Sequence, residues 1–156
     1  FGTDPGDLFM VRNVAALVPP YMPDSEYHGT SAAVGFAVKV LGIKNLIVMG
    51  HARCGGINAL VNHEERAATD FVAGWMHIAE PALARAYNLA KPEELQRVCE
   101  QEAVKVSLTN LMTFPWVKER VESGGLTLHG WYFDLETGTL HTLDANGNFA
   151  PVAADS

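Results

Sequence analysis

Apolar residues along the chain form short continuous runs separated by stretches with helical spacing. Residues 46–49 are apolar at every position, as expected for a strand in a parallel sheet that is covered on both faces. Residues 8–11 form a second apolar run bounded by turn-forming residues, and this predicts another buried strand. Residues 126–134 and 139–143, joined by a turn at 136–138, predict two further strands that form a hairpin.

Helical patterns lie between these strands. Apolar positions repeat every three or four residues and are bounded by capping residues, prolines and glycines. Helices are predicted at residues 30–41, 57–61, 70–89 with an interruption at Pro81, 92–114 and 116–122. The order of the elements predicts an α/β fold, in which a mainly parallel β-sheet is flanked by helices and carries an antiparallel hairpin at one edge.

Composition narrows the class of protein. A chain of 156 residues with 48% hydrophobic and 19% charged residues is typical of one α/β domain, residues 1–156, with its own core. The formal net charge of −7 argues against electrostatic nucleic-acid binding. Lys39 and Lys44 interrupt the longest candidate for a membrane span. With only Cys54 and Cys99, a disulfide framework is not indicated, and a reducing cytoplasm is expected.

The segment Gly-His-Ala-Arg-Cys-Gly-Gly at residues 50–56 carries the most chemistry. It follows the strand at 46–49, and open α/β sheets bind ligands beyond the carboxyl ends of their strands. His51 and Cys54 are both good zinc ligands, and a bound zinc ion can activate water for attack on an electrophilic carbon. Gly55 leaves a backbone N–H open to an anion.

Two other interpretations of this segment stay open at the level of the residues. His51 can be an ordinary loop histidine and Cys54 a small buried apolar residue. Alternatively, Cys54 can act as a nucleophile with His51 as its base, although no arginine follows in the loop to hold an oxyanion. Cys99 lies on an apolar helical face and is predicted to be a core residue.

Several motifs together resemble the β-class carbonic anhydrases. They begin with Gly-Asp-Leu-Phe-Met-Val-Arg-Asn-Val-Ala and end with the strand Leu-His-Gly-Trp-Tyr-Phe-Asp and its turn. The matching segments are residues 6–15, 17–20, 29–33, 48–56, 128–134 and 136–138. Their order along nearly the whole chain follows the order in that family.

The resemblance implies a zinc enzyme whose metal is held by two cysteines and one histidine. His51 and Cys54 correspond to the second and third of these ligands. The family's first ligand lies in a Cys-x-Asp-x-Arg motif upstream of the residue 8–11 segment, and this chain does not contain that motif. The catalytic Asp–Arg pair is therefore not identifiable here. The family's N-terminal helices and first strand are also expected to be missing.

The resemblance also assigns substrate-binding positions. Phe9 and Val14 correspond to residues of the apolar carbon dioxide pocket, and Phe36 stands where many members have a tyrosine. The Gly55 N–H corresponds to a donor to bound bicarbonate. Arg53 stands where a small residue is common, and its role is left open.

The function implied by the resemblance is the zinc-dependent reversible hydration of carbon dioxide to bicarbonate and a proton, by a homodimer or tetramer without nucleic-acid or membrane partners. Two alternatives remain. The chain can be a non-catalytic truncated homologue whose zinc site is incomplete or absent. It can also be a relative that hydrolyses carbon disulfide or carbonyl sulfide, since such enzymes share the fold.

Overall fold

The computed structural model of the chain describes residues 2–24, 26–64 and 71–152. Within them, most of the predicted helices and strands are present, in the predicted order. The helices are α1 (Gly29–Gly35, continued by a π-helical turn, Phe36–Val40), α2 (Gly55–Val61), α3 (Phe71–Met76), α4 (Glu80–Leu89), α5 (Leu95–Leu111) and α6 (Pro115–Glu122). The strands are β1 (Asn45–His51), β2 (Thr127–Asp134), β3 (Thr139–Leu143) and β4 (Phe149–Pro151).

The four strands that the described ranges contain form one mixed sheet in the order β1-β2-β3-β4. β1 pairs with β2 in parallel, with Asn45 opposite Thr127 and His51 opposite Phe133. β2 and β3 are antiparallel, as are β3 and β4. The α/β class and the antiparallel hairpin at the edge are therefore confirmed. The parallel pairing is confined to β1 and β2.

The prediction of a strand at residues 8–11 is wrong. These residues have no regular secondary structure, and their side chains are between 43% and 71% exposed. An extended segment becomes a strand only when a neighbour accepts and donates its main-chain hydrogen bonds. No described strand lies beside this segment, so its apolar side chains remain at the surface.

The prediction that β1 is covered on both faces is also wrong for the residues that the structure describes. Val48 and Gly50 face inwards and are buried, whereas Ile47 and Met49 on the opposite face are 40% and 41% exposed. The helices cover only one side of this strand. A continuously apolar run is therefore no proof that both faces are covered.

The predicted helices are present, with shifted ends. The break predicted at Pro81 occurs just before it, because His77–Ala79 is a 3₁₀ turn and Pro81 lies in the first turn of α4, where its missing N–H is tolerated. Residue 70 lies outside the described ranges. β4 was not predicted, because the turn and small residues that surround it resemble an irregular tail.

Helix α5 is the centre of the fold. Its buried side chains belong to two core clusters, one with α2 and α4 and the other with β1 and α6. Gly50 allows the closest approach, since a Cβ atom there would stand 2.8 Å from Cγ2 of Val104. α5 thereby lies directly against the end of β1 that leads into the segment from His51 to Cys54.

Candidate metal centre

The four residues from His51 to Cys54 form the His–Cys loop. This loop connects β1 to α2. The first end of the loop is fixed to the sheet, because the N–H of Ala52 donates to the carbonyl of Phe133 at 2.9 Å. At the other end Cys54 is the N-cap residue of α2, and its carbonyl accepts from the N–H of Asn58 at 2.8 Å. The loop is therefore hydrogen-bonded at both ends.

The imidazole of His51 is exposed and held by the loop itself. Its Nδ1 lies 2.8 Å from the carbonyl oxygen of Ala52. A carbonyl only accepts, so Nδ1 is the donor, and in the neutral imidazole Nε2 is then the nitrogen with a free lone pair. Nε2 has no hydrogen-bond partner among the described residues. Metal-binding histidines are commonly oriented in this way, through a carbonyl or carboxylate on the second ring nitrogen.

Cys54 carries a free thiol that is 6% exposed. Its backbone N–H donates to Oε1 of Glu100 at 2.9 Å, from a side chain that is itself 3% exposed. Glu100 lies on α5, so the hydrogen bond joins the His–Cys loop to the central helix. Cys54 is thus held through its main chain, and its sulfur is left without a disulfide partner.

Glu100 accepts two further hydrogen bonds. The Gln96 side chain donates to Oε1 at 2.9 Å, and the hydroxyl of Tyr132 donates to Oε2 at 2.8 Å. Asn58 in turn donates to Gln96 at 2.9 Å. Burial raises the pKa of Tyr132, and the hydrogen bond and negative charge of Glu100 raise it further. The hydroxyl therefore stays protonated as the donor that this arrangement needs.

Arg53 points away from this buried network. Its guanidinium forms an ion pair with Glu136 on the turn between β2 and β3, and both side chains are more than half exposed. Its backbone is left-handed, with φ at 56°. Arg53, Gly55, Asn58 and Gln96 line an open cleft of about 370 Å³ beside the loop.

The predicted substrate-binding residues lie on separate segments around the loop. Phe9 and Phe36 are in ring contact with centroids 5.9 Å apart, and each is about half exposed. Val14 packs against Gly56, and its carbonyl accepts from Nε1 of Trp75 at 2.9 Å. Gly55 is the first residue of α2, so its N–H has no acceptor within the helix.

His51 and Cys54 fit a zinc ion in their donor chemistry, because one offers an oriented imidazole nitrogen and the other an unpaired thiol. They do not complete a site. Within the described ranges, no group of three His, Cys, Asp or Glu side chains is placed to hold a metal ion. Catalytic zinc sites use three protein ligands, so His51 and Cys54 alone would make up only part of such a set.

Comparison with known proteins places the chain in a family. A family model described as "Carbonic anhydrase" matches residues 1–140. Beta carbonic anhydrase 5, chloroplastic, of Arabidopsis thaliana is 41% identical over 139 residues, which cover 86% of this chain and 45% of that protein. The carbonic anhydrase of Pseudomonas aeruginosa is 39% identical over 156 residues, covering 96% and 69%. The chain belongs to the β-class carbonic anhydrases.

Solved structures of this class share the fold. The β-carbonic anhydrase CcaA superposes with a TM-score of 0.84 at 29% identity, covering 96% of this chain and 74% of that one. A tetrameric β-carbonic anhydrase of Sordaria macrospora gives a TM-score of 0.76 at 26% identity, with 97% and 73% covered. Against beta carbonic anhydrases 5 and 3 of Arabidopsis, however, the chain spans only 45% and 60% of their length.

The sequence pattern of this β-class chain does not identify the role of Glu100. A signal was present, because positions 100, 103, 104, 107 and 111 form one buried stripe along α5. A charged residue within such a stripe requires buried partners. The stripe itself could not show that the partners are Tyr132 and the backbone of Cys54.

Among the described residues, no helix combines the length and apolar character needed to cross a bilayer. His129 lies 2.9 Å from the side chain of Asn45, across the β1–β2 pair. Cys99 is fully buried in the core, as expected.

Proposed function

We propose that this chain carries part of the catalytic centre of a zinc enzyme that reversibly hydrates carbon dioxide to bicarbonate and a proton. The observation that supports this most strongly is that the family match includes the His–Cys loop, in which His51 offers an oriented imidazole nitrogen and Cys54, three residues later, a free thiol. His51 and Cys54 would hold the zinc ion.

Zinc, when bound, supplies a Lewis acid that activates water near neutral pH. The chain's own residues bind and orient the substrate. Phe9, Val14 and Phe36 provide apolar side chains suited to an uncharged molecule such as carbon dioxide. The unpaired N–H of Gly55 is suited to donate a hydrogen bond to an oxygen of the bicarbonate product.

The experiment is metal analysis and a carbon dioxide hydration assay on the protein isolated at its natural length. We expect one zinc ion per subunit and zinc-dependent hydration. His51→Asn and Cys54→Ser should each lose zinc and activity, whereas His129→Asn, far along β1–β2 from the loop, should keep both. A natural protein without zinc would exclude the proposal.

A second candidate is a homologue without catalytic activity. It is favoured by the lack of a third metal donor among the described residues. Intact-mass measurement separates the two candidates. A natural product near 16.9 kDa favours the non-catalytic homologue, and a clearly larger mass favours an enzyme whose third ligand lies outside this chain.

We further propose that the protein works as a dimer or tetramer. Ile47 and Met49 on β1, together with the segment at residues 8–11, leave apolar side chains at the surface, and one structural relative is described as tetrameric. Exposed apolar side chains in such numbers are typical of surfaces that contact another protein. Analytical ultracentrifugation should therefore show a species larger than a monomer, and a monomer at micromolar concentration would contradict this.

A further inference from the structure

We propose that Glu100 is a positioning residue that fixes the backbone of Cys54, and with it the approach of the two metal-binding side chains in the His–Cys loop. The expected effect on metal binding rests on the proposed function. The positioning itself is a property of the metal-free chain.

The geometry of Glu100 supports this role. Its carboxylate is 3% exposed and accepts hydrogen bonds at 2.8 to 2.9 Å from Cys54, Gln96 and Tyr132. Every contact is made by a donor, so both oxygens act only as acceptors. Burial of a carboxylate is costly unless its oxygens are hydrogen-bonded, and here both of them are. The side chain is therefore held from two elements, α5 and β2, while it holds the loop.

The loop itself cannot supply this restraint. Arg53, next to Cys54, adopts the left-handed φ of 56° that side chains other than glycine rarely occupy. A conformation of this kind persists only when surrounding contacts enforce it. The hydrogen bonds from Ala52 to Phe133 and from Cys54 to Glu100 lie on the two sides of Arg53 and provide that enforcement.

Glu102 offers a matched control. It lies on the same helix, is 4% exposed, and contacts Lys105 at 2.6 Å and Arg85 at 3.7 Å. Within the part of the chain that the structure describes, it forms no hydrogen bond or ion pair with the His–Cys loop. Removal of either buried carboxylate leaves its partners unpaired, but only the removal of Glu100 leaves the Cys54 N–H unpaired.

The first measurement is amide hydrogen exchange at Cys54 in the metal-free chain. Glu100→Ala should accelerate this exchange by roughly 10-fold or more relative to the rest of the loop. Glu102→Ala should leave it unchanged after correction for global stability. Glu100→Gln should restore slow exchange, because its amide oxygen still accepts from the Cys54 N–H. If Glu100→Ala does not fold, Tyr132→Phe replaces it, with an expected acceleration of roughly 3- to 10-fold.

The second measurement uses cobalt as a spectroscopic probe of the natural-length protein. Glu100→Ala should alter the cobalt–thiolate charge-transfer band and weaken zinc binding by roughly 10- to 100-fold, and Glu102→Ala should do neither. The inference would be overturned if Glu100→Ala left the exchange rate at Cys54 unchanged. It would also be overturned if Glu102→Ala changed the exchange rate or the zinc affinity as much as Glu100→Ala does. Absence of metal in the wild type would instead overturn the proposed function, and the exchange experiment would still decide the role of Glu100.

Discussion

A methyl group added to Gly56 would stand 2.9 Å from Cγ1 of Val14. The helix that follows the His–Cys loop thus packs directly on a residue of the predicted carbon dioxide pocket. The same atom would lie 3.6 Å from the sulfur of Met76, which is fully buried. Glycine at position 56 therefore sets the distance between the candidate metal centre and the candidate substrate pocket.

Gly56→Ala should lower the free energy of unfolding by about 1–3 kcal/mol, because Val14 has to move away from the added methyl group. Gly55→Ala is the control, since a methyl group there meets nothing within 4 Å. It should be neutral or stabilise α2 by up to about 1 kcal/mol through helix propensity. Urea denaturation of both variants checks this, and equal midpoints would contradict the packing argument.

Asn13 holds the segment that carries Val14. Its side-chain amide donates to the carbonyl of Leu17 at 2.8 Å, and its oxygen accepts from the Leu17 N–H at 3.0 Å. Leu17 is fully buried, and Ala15 and Ala16 between them have left-handed φ angles of 61° and 51°. The side chain of Asn13 therefore satisfies main-chain groups that the left-handed turn leaves unpaired.

Asn13→Ala should cost about 1–3 kcal/mol of unfolding free energy, because it leaves two main-chain groups of Leu17 unpaired. Asn13→Asp keeps the acceptor for the Leu17 N–H but turns a carboxylate oxygen towards the Leu17 carbonyl, so it should also be less stable than the wild type. Thermal unfolding of the three proteins measures both losses. If Asn13→Ala were as stable as the wild type, the side chain of Asn13 would have no measurable role in holding Leu17.

The two donors of the candidate metal centre could be picked out from the sequence because they are three residues apart at the end of a strand. His51 and Cys54 need only the β1–α2 turn to come together, and the apolar run before them indicates that strand. Glu100 is 46 residues away from Cys54 along the chain. Its contact depends on how α5 crosses the sheet, which the spacing of apolar residues along one helix does not specify.

The two errors in the fold have a common physical origin. Residues 8–11 and the outward face of β1 are apolar, and apolar residues are usually covered. Apolar character indicates that a surface packs against another element, but it does not identify that element. The described residues place no strand beside residues 8–11 and no helix over Ile47 and Met49.

Cys99 makes stability depend on pH in the alkaline range. Burial, together with the smaller effects of the neighbouring Glu100, Glu102 and Cys54, raises the pKa of its thiol from 9.0 to about 12. The folded state then holds a proton that the unfolded state releases. The stabilisation is complete below the unfolded pKa near 9 and is lost as the pH rises towards 12.

Between pH 9 and 11 this group should reduce the free energy of unfolding by at most about 1.4 kcal/mol per pH unit. Cys99→Ala cannot titrate there, so its stability should fall less steeply than that of the wild type over the same range. Urea denaturation at half-unit steps gives both slopes. Parallel curves would show that Cys99 ionises equally in the two states.

Arg53 combines an exposed ion pair with a left-handed backbone. Substitutions can separate the contributions of these two features to stability. Glu136→Gln removes the ion pair alone and should cost less than about 1 kcal/mol, because both side chains are more than half exposed. Arg53→Gln should lower the free energy of unfolding by the same amount as Glu136→Gln. Arg53→Val also loses the pair, but it places a β-branched residue at a φ of 56°, so its loss should exceed that of Glu136→Gln.

Arg53→Gly tests the backbone directly. Glycine relieves about 1–2 kcal/mol of left-handed strain and loses about 0.5–1 kcal/mol to the greater entropy of the unfolded chain. Its stability should therefore equal or slightly exceed that of Arg53→Gln in urea denaturation. The ranking Gly, then Gln, then Val identifies the backbone as the determinant at this position. If valine were as stable as glutamine, the enforced conformation of the His–Cys loop would carry no measurable strain at Arg53.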